Sequence, residues 1–325
     1  MLPEVAEQVF PPDLRARLDS LLDLRPGPVV TDYATPEAVA ALNRAEVLIT
    51  GWGCPPLDER TLDAAPRLRA VIHAAGSVRE AEISRAAWQR GITVSSAALA
   101  NAWPVAQFTV SVILLAHKRA FALASSYRRD GFRAYPTSGD TGNTGRTVGV
   151  VGASRIGRMV IDLLRAHAFR VLVADPYLRP SEAAGLGAEL VDLDDLLTGS
   201  DTVTLHAPLL PATHHLIDDR RLGLLRDGAV LVNTARGAIV DTDALLKHCG
   251  TGRIDAVLDV VEPEPLPPGH PLFSLPNVFI TPHIAGALGR EIRLLGEFAV
   301  RETERWLDGA PLAGRVDAED LARIA

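Results

Sequence analysis

The chain has 325 residues, of which 47% are hydrophobic and 22% are charged, a composition close to that of soluble globular proteins. This length exceeds what one hydrophobic core usually supports, so two domains are expected. A formal net charge of −7, with no basic cluster larger than pairs such as Arg128–Arg129, argues against nucleic-acid binding and in favour of a small-molecule ligand.

The sequence predicts neither a membrane span nor a secretory signal. The most apolar stretch, Val110–Ala116, is followed at once by the basic run 117–119 and falls short of the roughly 20 residues of a transmembrane helix. The first twenty residues contain acidic side chains and no basic start, which predicts a cytoplasmic protein. The two cysteines, Cys54 and Cys249, have the spacing of neither a disulfide framework nor a zinc site.

Short β-branched runs alternate with amphipathic stretches along nearly the whole chain, a pattern typical of the α/β class with parallel sheets. The first hundred residues predict a small doubly wound unit. Its strands are predicted at Val29–Thr31, Val47–Thr50, Ala70–His73 and Ile92–Val94, and its helices near Pro36–Leu42 and Glu80–Gln89.

A long helix is predicted from Ala102 to about Tyr127, followed by a loop over Asp130–Thr147 that is rich in Gly, Ser and Thr. A final helix over Ala287–Leu307 has no strand of its own to cover and is expected to pack on the first domain, making that domain discontinuous. Between them a larger sheet of seven strands is predicted at Val148–Val151, Val171–Ala174, Glu189–Val191, Val203–Leu205, Val230–Val232, Val257–Val260 and Val278–Thr281.

The first strand of the larger sheet leads into a dinucleotide fingerprint. Gly152 begins the turn, Gly157 lies in the following helix, and Asp175 ends the next strand at the spacing of a carboxylate that binds ribose hydroxyls. Ser154 replaces the middle glycine, and its hydroxyl could bond a phosphate oxygen. The alternative is an ordinary turn between strand and helix. The candidate cofactor-binding residues of this turn are Gly152, Ser154, Arg155, Ile156, Gly157 and, on the next strand, Asp175.

Polar side chains follow the strands at the edge of the sheet where ligands bind in parallel α/β folds. Arg236, Glu264 and His283 come after three successive predicted strands. A hydride transfer to or from a hydroxy acid needs a proton carrier, a cation for the carboxylate and a group that orients the proton carrier. His283 fits the first role, Arg236 the second and Glu264 the third. The alternatives are a surface histidine, a helix-capping arginine and an ordinary loop carboxylate.

Three further histidines have weaker signals. His206 follows a predicted strand and either lines the nicotinamide pocket or simply ends the strand. His214 and His215 could hold a metal ion, but no carboxylate or cysteine stands at ligand spacing beside them in the sequence, so no metal site is predicted.

These motifs together resemble the D-isomer-specific 2-hydroxyacid dehydrogenase family over nearly the whole chain. The resemblance rests on the stretches Gly152–Gly157, His206–Pro208, Thr213–Ile217, Val232–Gly237, Asp259–Leu266, Pro267–Phe273 and Thr281–Gly286. It implies that Arg236, Glu264 and His283 are catalytic. It also implies NAD as the cofactor, with further contacts from His206, Ala207, Pro208, Thr213, Thr234, Ala235, Asp259 and Ala285.

The resemblance further implies a Rossmann nucleotide domain, residues 101–287, inserted into a discontinuous flavodoxin-like substrate domain, residues 1–100 and 288–325, and a homodimer. The expected activity is NAD-dependent hydride transfer between nicotinamide and a small 2-hydroxy or 2-keto acid. NAD is expected over NADP because Asp175 would repel a 2′-phosphate, although Arg179 could offset it. A glutamate beside the histidine argues against formate dehydrogenase. Phosphite dehydrogenase and an NAD-sensing corepressor are the alternatives.

The sequence departs from the family where the substrate carboxylate would bind. Ala75–Glu80 replaces a glycine-rich turn, and Gly76, Ser77 and Arg79 are the candidate substrate-binding residues. Arg79 is either a solvated residue that opens a helix or a second cation that selects substrates with another anionic group. Gln107 stands where the family usually has a glutamate, a change without a functional explanation.

Overall fold

A computed structural model describes residues 1–25, 27–131 and 141–322. The chain divides into two compact units. The first comprises Met1–Ala102 and Ala287–Ala325, and the second comprises Trp103–Gly286.

The described helices are α1 (Pro3–Val9), α2 (Pro12–Leu21), α3 (Pro36–Leu42), α4 (Glu59–Asp63), α5 (Ala86–Gln89), α6 (Ala98–His117), α7 (Ala120–Asp130), α8 (Arg155–Arg165), α9 (Pro180–Leu186), α10 (Leu193–Gly199), α11 (Asp219–Leu224), α12 (Thr242–Gly250) and α13 (Ile292–Leu307). The described strands are β1 (Val47–Thr50), β2 (Ala70–His73), β3 (Thr93–Ser96), β4 (Thr147–Val151), β5 (Arg170–Ala174), β6 (Glu189–Leu190), β7 (Thr202–Leu205), β8 (Val230–Asn233), β9 (Asp255–Leu258), β10 (Val278–Ile280) and β11 (Arg315–Val316).

The first unit contains a four-stranded sheet in the order β1-β2-β3-β11, in which β11 is antiparallel to β3 and the other pairs are parallel. Neighbouring residues of a strand point to opposite sides of the sheet. Because both sets of side chains are apolar, helices cover both faces. Val71 faces the cluster that contains Leu62 of α4 and Ala87 of α5. Ile72 faces Ala299 of α13 and the α1 residue Val9.

Two elements predicted for this unit are wrong. Val29–Thr31, although described, forms no strand: Pro28 offers no N–H donor, and the Asp32 carboxylate accepts from the Ala34 N–H, which begins a turn. The predicted helix over Glu80–Gln89 is reduced to α5, because Glu82 and Ser84 bond through their backbones to Leu57. The sequence analysis also missed α1, α2, α4 and β11.

The second unit is built on a seven-stranded parallel sheet in the order β10-β9-β8-β7-β4-β5-β6. All seven strands were predicted, although β9 begins and ends two residues earlier than expected, so Asp259 lies in the loop after it. From β4, the next strands β5 and β6 are added on one side, whereas β7 to β10 are added on the other side, so the strand order reverses between β4 and β7. At such a reversal the loops after the two strands diverge, which opens a crevice at their carboxyl ends.

Helices cover both faces of this larger sheet as well. Val148 and Val150 pack with α6 and α8, whose buried residues include Ile113 and Ile161. On the other face, Val151 of β4, Leu172 of β5 and Leu205 of β7 pack with α10, α11 and α12. This double coverage explains why the strands are almost continuously apolar.

The single helix predicted over Ala102–Tyr127 is two helices. α6 ends at His117, whose Nε2 lies 2.7 Å from the Thr202 hydroxyl, and Arg119 then adopts a left-handed conformation at φ 52°. A left-handed residue interrupts the helical hydrogen-bond ladder, so α7 starts afresh at Ala120. Residues 132–140 of the loop predicted over Asp130–Thr147 lie outside the described residues.

α6 has 20 residues and a mean hydropathy of 1.5, enough by length and composition to cross a membrane, which the sequence analysis had not recognised. Its inner face, however, includes Ala106, Val110 and Ile113, which are buried in the core of the second unit. These contacts are those of a core helix.

The final helix begins at Ile292 rather than at Ala287, after a short 3₁₀ turn over Gly289–Glu291. It carries the buried carboxylate of Glu302, which is 1% exposed. The carboxylate accepts hydrogen bonds from the Ser95 hydroxyl and from the Ala313 and Gly314 N–H groups, the latter two at 3.0 Å. Glu302 therefore ties α13 to β3 and to the segment that leads into β11.

We predict that Glu302→Ala lowers the free energy of unfolding of the first unit by about 3 kcal/mol, because the buried Ser95 hydroxyl and Gly314 N–H and the part-buried Ala313 N–H lose their acceptor. Urea denaturation followed by tryptophan fluorescence measures this, since Trp52, Trp88 and Trp306 lie in this unit. Glu304→Ala is the control: this glutamate forms a partly exposed ion pair with Arg17 and should cost under about 1 kcal/mol. Equal losses in the two variants would contradict the assignment.

Candidate active site

The turn between β4 and α8 brings two backbone segments into close contact. Gly152 has φ +96°, and a Cβ there would lie 2.7 Å from the backbone nitrogen of Ala207, after β7. A Cβ on Gly157 would lie 2.1 Å from the carbonyl oxygen of Gly152. Only glycine fits both positions, which places the turn against the end of β7 and the start of α8 against the turn.

Ser154 caps the helix that follows. Its hydroxyl accepts a hydrogen bond from the Gly157 N–H at 3.3 Å, as an N-cap residue does. Arg155 is exposed and Ile156 packs partly against the core. Ser154, which stands where the fingerprint has its middle glycine, thus uses its hydroxyl to cap α8.

Asp175 lies at the end of β5 with its carboxylate fixed. The carboxylate accepts from the Ala153 N–H at 2.7 Å and from the Tyr177 N–H at 2.8 Å. Arg179, the residue that could offset the charge of Asp175, is paired with Glu182 at 3.0 Å. This hydrogen bond to Glu182 raises the pKa of Arg179 above its ordinary value.

His206 follows β7 and is 4% exposed, with its Nε2 2.9 Å from the Thr204 hydroxyl. Desolvation lowers the pKa of His206 to about 3, so the imidazole is neutral at physiological pH. Ala207 and Pro208 continue the segment that contacts Gly152. The Thr213 hydroxyl donates to the Pro208 carbonyl and accepts from the Leu210 N–H at 2.8 Å, and so fixes the loop.

The loop after β8 carries Arg236 and is held by a buried asparagine. The Asn233 side chain donates to the Arg236 carbonyl at 2.8 Å and accepts from the Ala235 N–H at 3.0 Å. The Thr234 hydroxyl lies 2.8 Å from that of Thr109 on α6. Sequence analysis did not single out Asn233 or Thr109; the polar residue at the end of an apolar strand was the available signal for Asn233.

Arg236 itself is half-buried, and its Nη1 donates to the Ala235 carbonyl at 2.7 Å. The next residue, Gly237, packs so closely that a Cβ would lie 2.0 Å from the Val261 carbonyl oxygen. The loop of Arg236 therefore rests directly on the loop after β9, which contains Glu264.

His283 and Glu264 form a close pair. The imidazole Nδ1 lies 2.6 Å from the Glu264 carboxylate, and the two side chains are 54% and 42% exposed. His283 has a left-handed backbone at φ 57°, which is uncommon for a residue other than glycine. Its N–H donates to the Asp259 carbonyl at 3.0 Å.

The Asp259 carboxylate holds this strained loop in place. It is 2% exposed. It accepts from the Thr281 hydroxyl at 2.6 Å, the Ile284 N–H at 2.8 Å and the Ala285 N–H at 2.9 Å. Sequence analysis assigned Asp259 and Ala285 to cofactor binding; in the structure the carboxylate's hydrogen bonds fix the residues on both sides of His283.

No carboxylate is expected at ligand spacing beside His214 and His215 from the sequence, but one lies beside them in the folded protein. Glu262, 47 residues away in the sequence, lies 3.0 Å from His215 and 3.9 Å from His214.

In the first unit, the turn after β2 contains the candidate substrate-binding residues. The Gly76 carbonyl accepts a hydrogen bond from the Ser96 hydroxyl, and Ser77 is half-buried. Arg79 is 61% exposed and bonds the Glu82 carboxylate through Nε at 3.1 Å and Nη2 at 2.6 Å. No helix starts at Arg79, because α5 begins only at Ala86, so the expectation that Arg79 opens a helix is wrong. Its side chain forms the ion pair with Glu82 instead.

Comparison with known proteins gives consistent matches. Residues 110–285 match the family model described as D-isomer specific 2-hydroxyacid dehydrogenase, NAD binding domain. The glyoxylate reductase of Thermofilum pendens is 36% identical over 272 residues, which is 82% of this chain and 79% of the relative. The D-3-phosphoglycerate dehydrogenase of Mycobacterium tuberculosis is 36% identical over 255 residues, 78% of this chain and 46% of the relative.

The chain thus spans about half the length of the curated phosphoglycerate dehydrogenases that it matches. Among solved structures, the D-lactate dehydrogenase of Aquifex aeolicus, complexed with NAD and lactic acid, aligns with a TM-score of 0.73 at 29% identity. The alignment covers 94% of each chain. Fold and nucleotide-binding domain therefore agree with what the sequence motifs predict.

We predict that Gly157→Ala weakens NADH binding at least about tenfold, because the new methyl group must displace the Gly152 backbone that forms the turn. Fluorescence titration with NADH measures it. Gly185→Ala in α9 is the matched control, since a Cβ there has nothing within 4 Å. Alanine raises the helix propensity at both positions, so the difference between the variants isolates the clash. Unchanged affinity in Gly157→Ala would remove the turn from the nucleotide site.

Proposed function

We propose that this chain, which belongs to the D-isomer specific 2-hydroxyacid dehydrogenase family, catalyses the NAD-dependent interconversion of a small D-2-hydroxy acid and its 2-keto acid. The observation that carries the proposal is the His283–Glu264 pair at 2.6 Å. It lies in the loops after β9 and β10, next to the strand that leads to Arg236. All three side chains belong to the unit that contains the NAD-binding match.

The residues at the reversal of strand order fit NAD. Gly152 and Gly157 leave no space for side chains where the turn and the helix approach the end of β7. The N-terminus of α8 is proposed to offer N–H groups to a pyrophosphate, and Asp175, after β5, is proposed to accept from ribose hydroxyls. When bound, NADH supplies the hydride. His206, neutral and buried, adds no charge at this edge.

His283 is the proposed proton carrier. Its Nδ1 is engaged by Glu264, so the other ring nitrogen, Nε2, is the atom that exchanges a proton with the substrate oxygen. In reduction the imidazolium donates from Nε2 to the keto oxygen, and in oxidation the neutral ring accepts the hydroxyl proton. Glu264, 2.6 Å from Nδ1, fixes the orientation of the ring.

Arg236 is the proposed carboxylate clamp. A guanidinium presents a planar fork of donors that matches a carboxylate, and it can polarise the neighbouring keto oxygen. Asn233 fixes the loop backbone on either side of Ala235, which limits where the guanidinium can reach. Gly76 and Ser77 are proposed to bind the substrate carboxylate through backbone N–H groups.

The pairing of Arg79 with Glu82 supports a substrate with a single anionic group. The Arg79 guanidinium donates two hydrogen bonds to the Glu82 carboxylate, which partly neutralises its charge. It therefore has fewer free donors and less net charge for a second anionic group of a substrate. Glyoxylate and pyruvate meet this requirement better than a phosphorylated 2-keto acid does. The relative from Thermofilum pendens is named glyoxylate reductase.

A screen of 2-keto acids with NADH, with phosphite and NAD as a further arm, tests the activity. The homodimer stays a prediction.

We predict that His283→Ala lowers kcat for reduction of the best 2-keto acid by about a thousandfold, a typical contribution of a general acid. The dissociation constant for NADH should stay within about twofold, because the imidazole acts on the substrate oxygen. Stopped-flow kinetics and fluorescence titration separate the two quantities. His167→Ala, an exposed histidine on another loop, is the control.

Glu264→Gln distinguishes an orienting partner from an ordinary loop carboxylate. The amide keeps the shape but loses the charge, so kcat should fall at least about tenfold while NADH binding is retained. If His283→Ala or Glu264→Gln keeps kcat within a few-fold of the parent, that residue does not belong to the catalytic set.

We predict that the protein uses NADH with higher kcat/KM than NADPH, because Asp175 repels a 2′-phosphate and Arg179 is engaged by Glu182. Asp175→Asn should reduce the NADH-to-NADPH ratio of kcat/KM at least about tenfold, roughly the effect of removing one close charge.

The matched control is Asp162→Asn, which removes an exposed charge on the side of α8 and should leave the ratio unchanged. Equal efficiency of the parent protein with both cofactors would contradict the prediction. So would an equal change of the ratio in the two variants.

A further inference from the structure

The structure places two histidines and a glutamate together outside the catalytic set. We propose that His214, His215 and Glu262 bind one divalent transition-metal ion, such as Zn²⁺ or Ni²⁺. One ligand atom from each of the three side chains lies within 4.8 Å of the other two. The proposal concerns a site of its own and does not depend on the dehydrogenase activity.

The imidazoles face the same carboxylate. The rings of His214 and His215 are stacked, with centroids 4.0 Å apart and planes inclined by 25°. The His215 Nε2 lies 3.0 Å from one oxygen of Glu262, and the His214 Nε2 lies 3.9 Å from the other. Each carboxylate oxygen is thus next to a different imidazole nitrogen.

These separations are close to those of a coordination sphere. Zinc binds imidazole nitrogen and carboxylate oxygen at about 2.0–2.2 Å, which puts tetrahedral ligand atoms about 3.3 Å apart. The two imidazole–carboxylate separations, 3.0 and 3.9 Å, are within about 1 Å of this value, and rotation of the side chains closes the difference. The side chains are 52%, 39% and 39% exposed, so they can rotate, and water can fill the remaining coordination positions.

The backbone holds the three side chains together before any ion binds. His215 adopts a left-handed conformation at φ 49°, and its ring stacks on that of His214. Its N–H donates to the Ala238 carbonyl at 2.8 Å. The Glu262 carbonyl accepts from the Thr242 hydroxyl at 2.6 Å. Ligands held in this way lose less conformational entropy when the ion binds.

The ligand types select the class of ion. Two imidazoles and one carboxylate suit zinc, nickel, copper and cobalt, whereas calcium and magnesium prefer oxygen ligands alone. The ion would replace the proton shared by His215 and Glu262, since bound imidazole must be neutral at the coordinating nitrogen. Because Glu262 lies two residues before Glu264, the ion would also fix the loop after β9.

The test uses the 325-residue chain without a histidine tag. Isothermal titration with Ni²⁺ should show one saturable equivalent, and bound Co²⁺ should give the visible absorption of a protein site. His214→Ala and Glu262→Gln should each weaken Ni²⁺ binding at least about tenfold, because each removes one of three ligands. His167→Ala, an exposed histidine elsewhere, should bind as the parent does.

His283→Ala is the second control, because His283 and Glu264 form another histidine–carboxylate pair. Retained binding in this variant, together with the losses above, supports the proposed site. Loss of binding in His283→Ala would place the ion at the catalytic pair and overturn the proposal. Absence of saturable binding, or unchanged affinity in both His214→Ala and Glu262→Gln, would overturn it as well. Circular dichroism of each variant confirms that a lost affinity is not a lost fold.

Discussion

The close approach of two backbone segments, where the strand order reverses between β4 and β7, is the constraint on which the second unit depends. Gly152 and Gly157 have no Cβ, so the turn after β4 lies against Ala207 and the start of α8 lies against the turn. The helix N-terminus thereby faces the crevice that the sheet topology opens. Larger side chains at either glycine would separate these elements before any ligand arrived.

Buried polar side chains hold the loops at the other end of the same sheet edge. Asn233 fixes the loop of Arg236, and Asp259 fixes the loop of His283 through three donors. Both residues are almost fully buried, where an unpaired polar group would be costly, so their hydrogen bonds are made and the loops have one preferred conformation. The strained backbone of His283 is kept in place by this network.

The loop after β9 links two groups of side chains with different chemistry. Glu264 pairs with His283, and Glu262 faces the stacked rings of His214 and His215. Gly237 packs directly on the carbonyl of Val261, so the same loop also supports the segment of Arg236. A short stretch of chain therefore positions a histidine–carboxylate pair and the proposed set of metal ligands without sharing a side chain between them.

Local pattern was sufficient to identify the parallel sheets, the fingerprint turn and the polar residues after β8, β9 and β10. Apolar runs, glycine spacing and strand ends are all local features of the sequence. The tertiary structure decided what local pattern does not contain. The backbone of Leu57 pairs with residues that were expected to be helical, and Pro28 and Asp32 prevent an expected strand. Arg79 bonds Glu82, Asp259 supports the His283 loop, and Glu262 approaches His215 across 47 residues, because folding selects side-chain partners by distance in space and not by spacing along the chain.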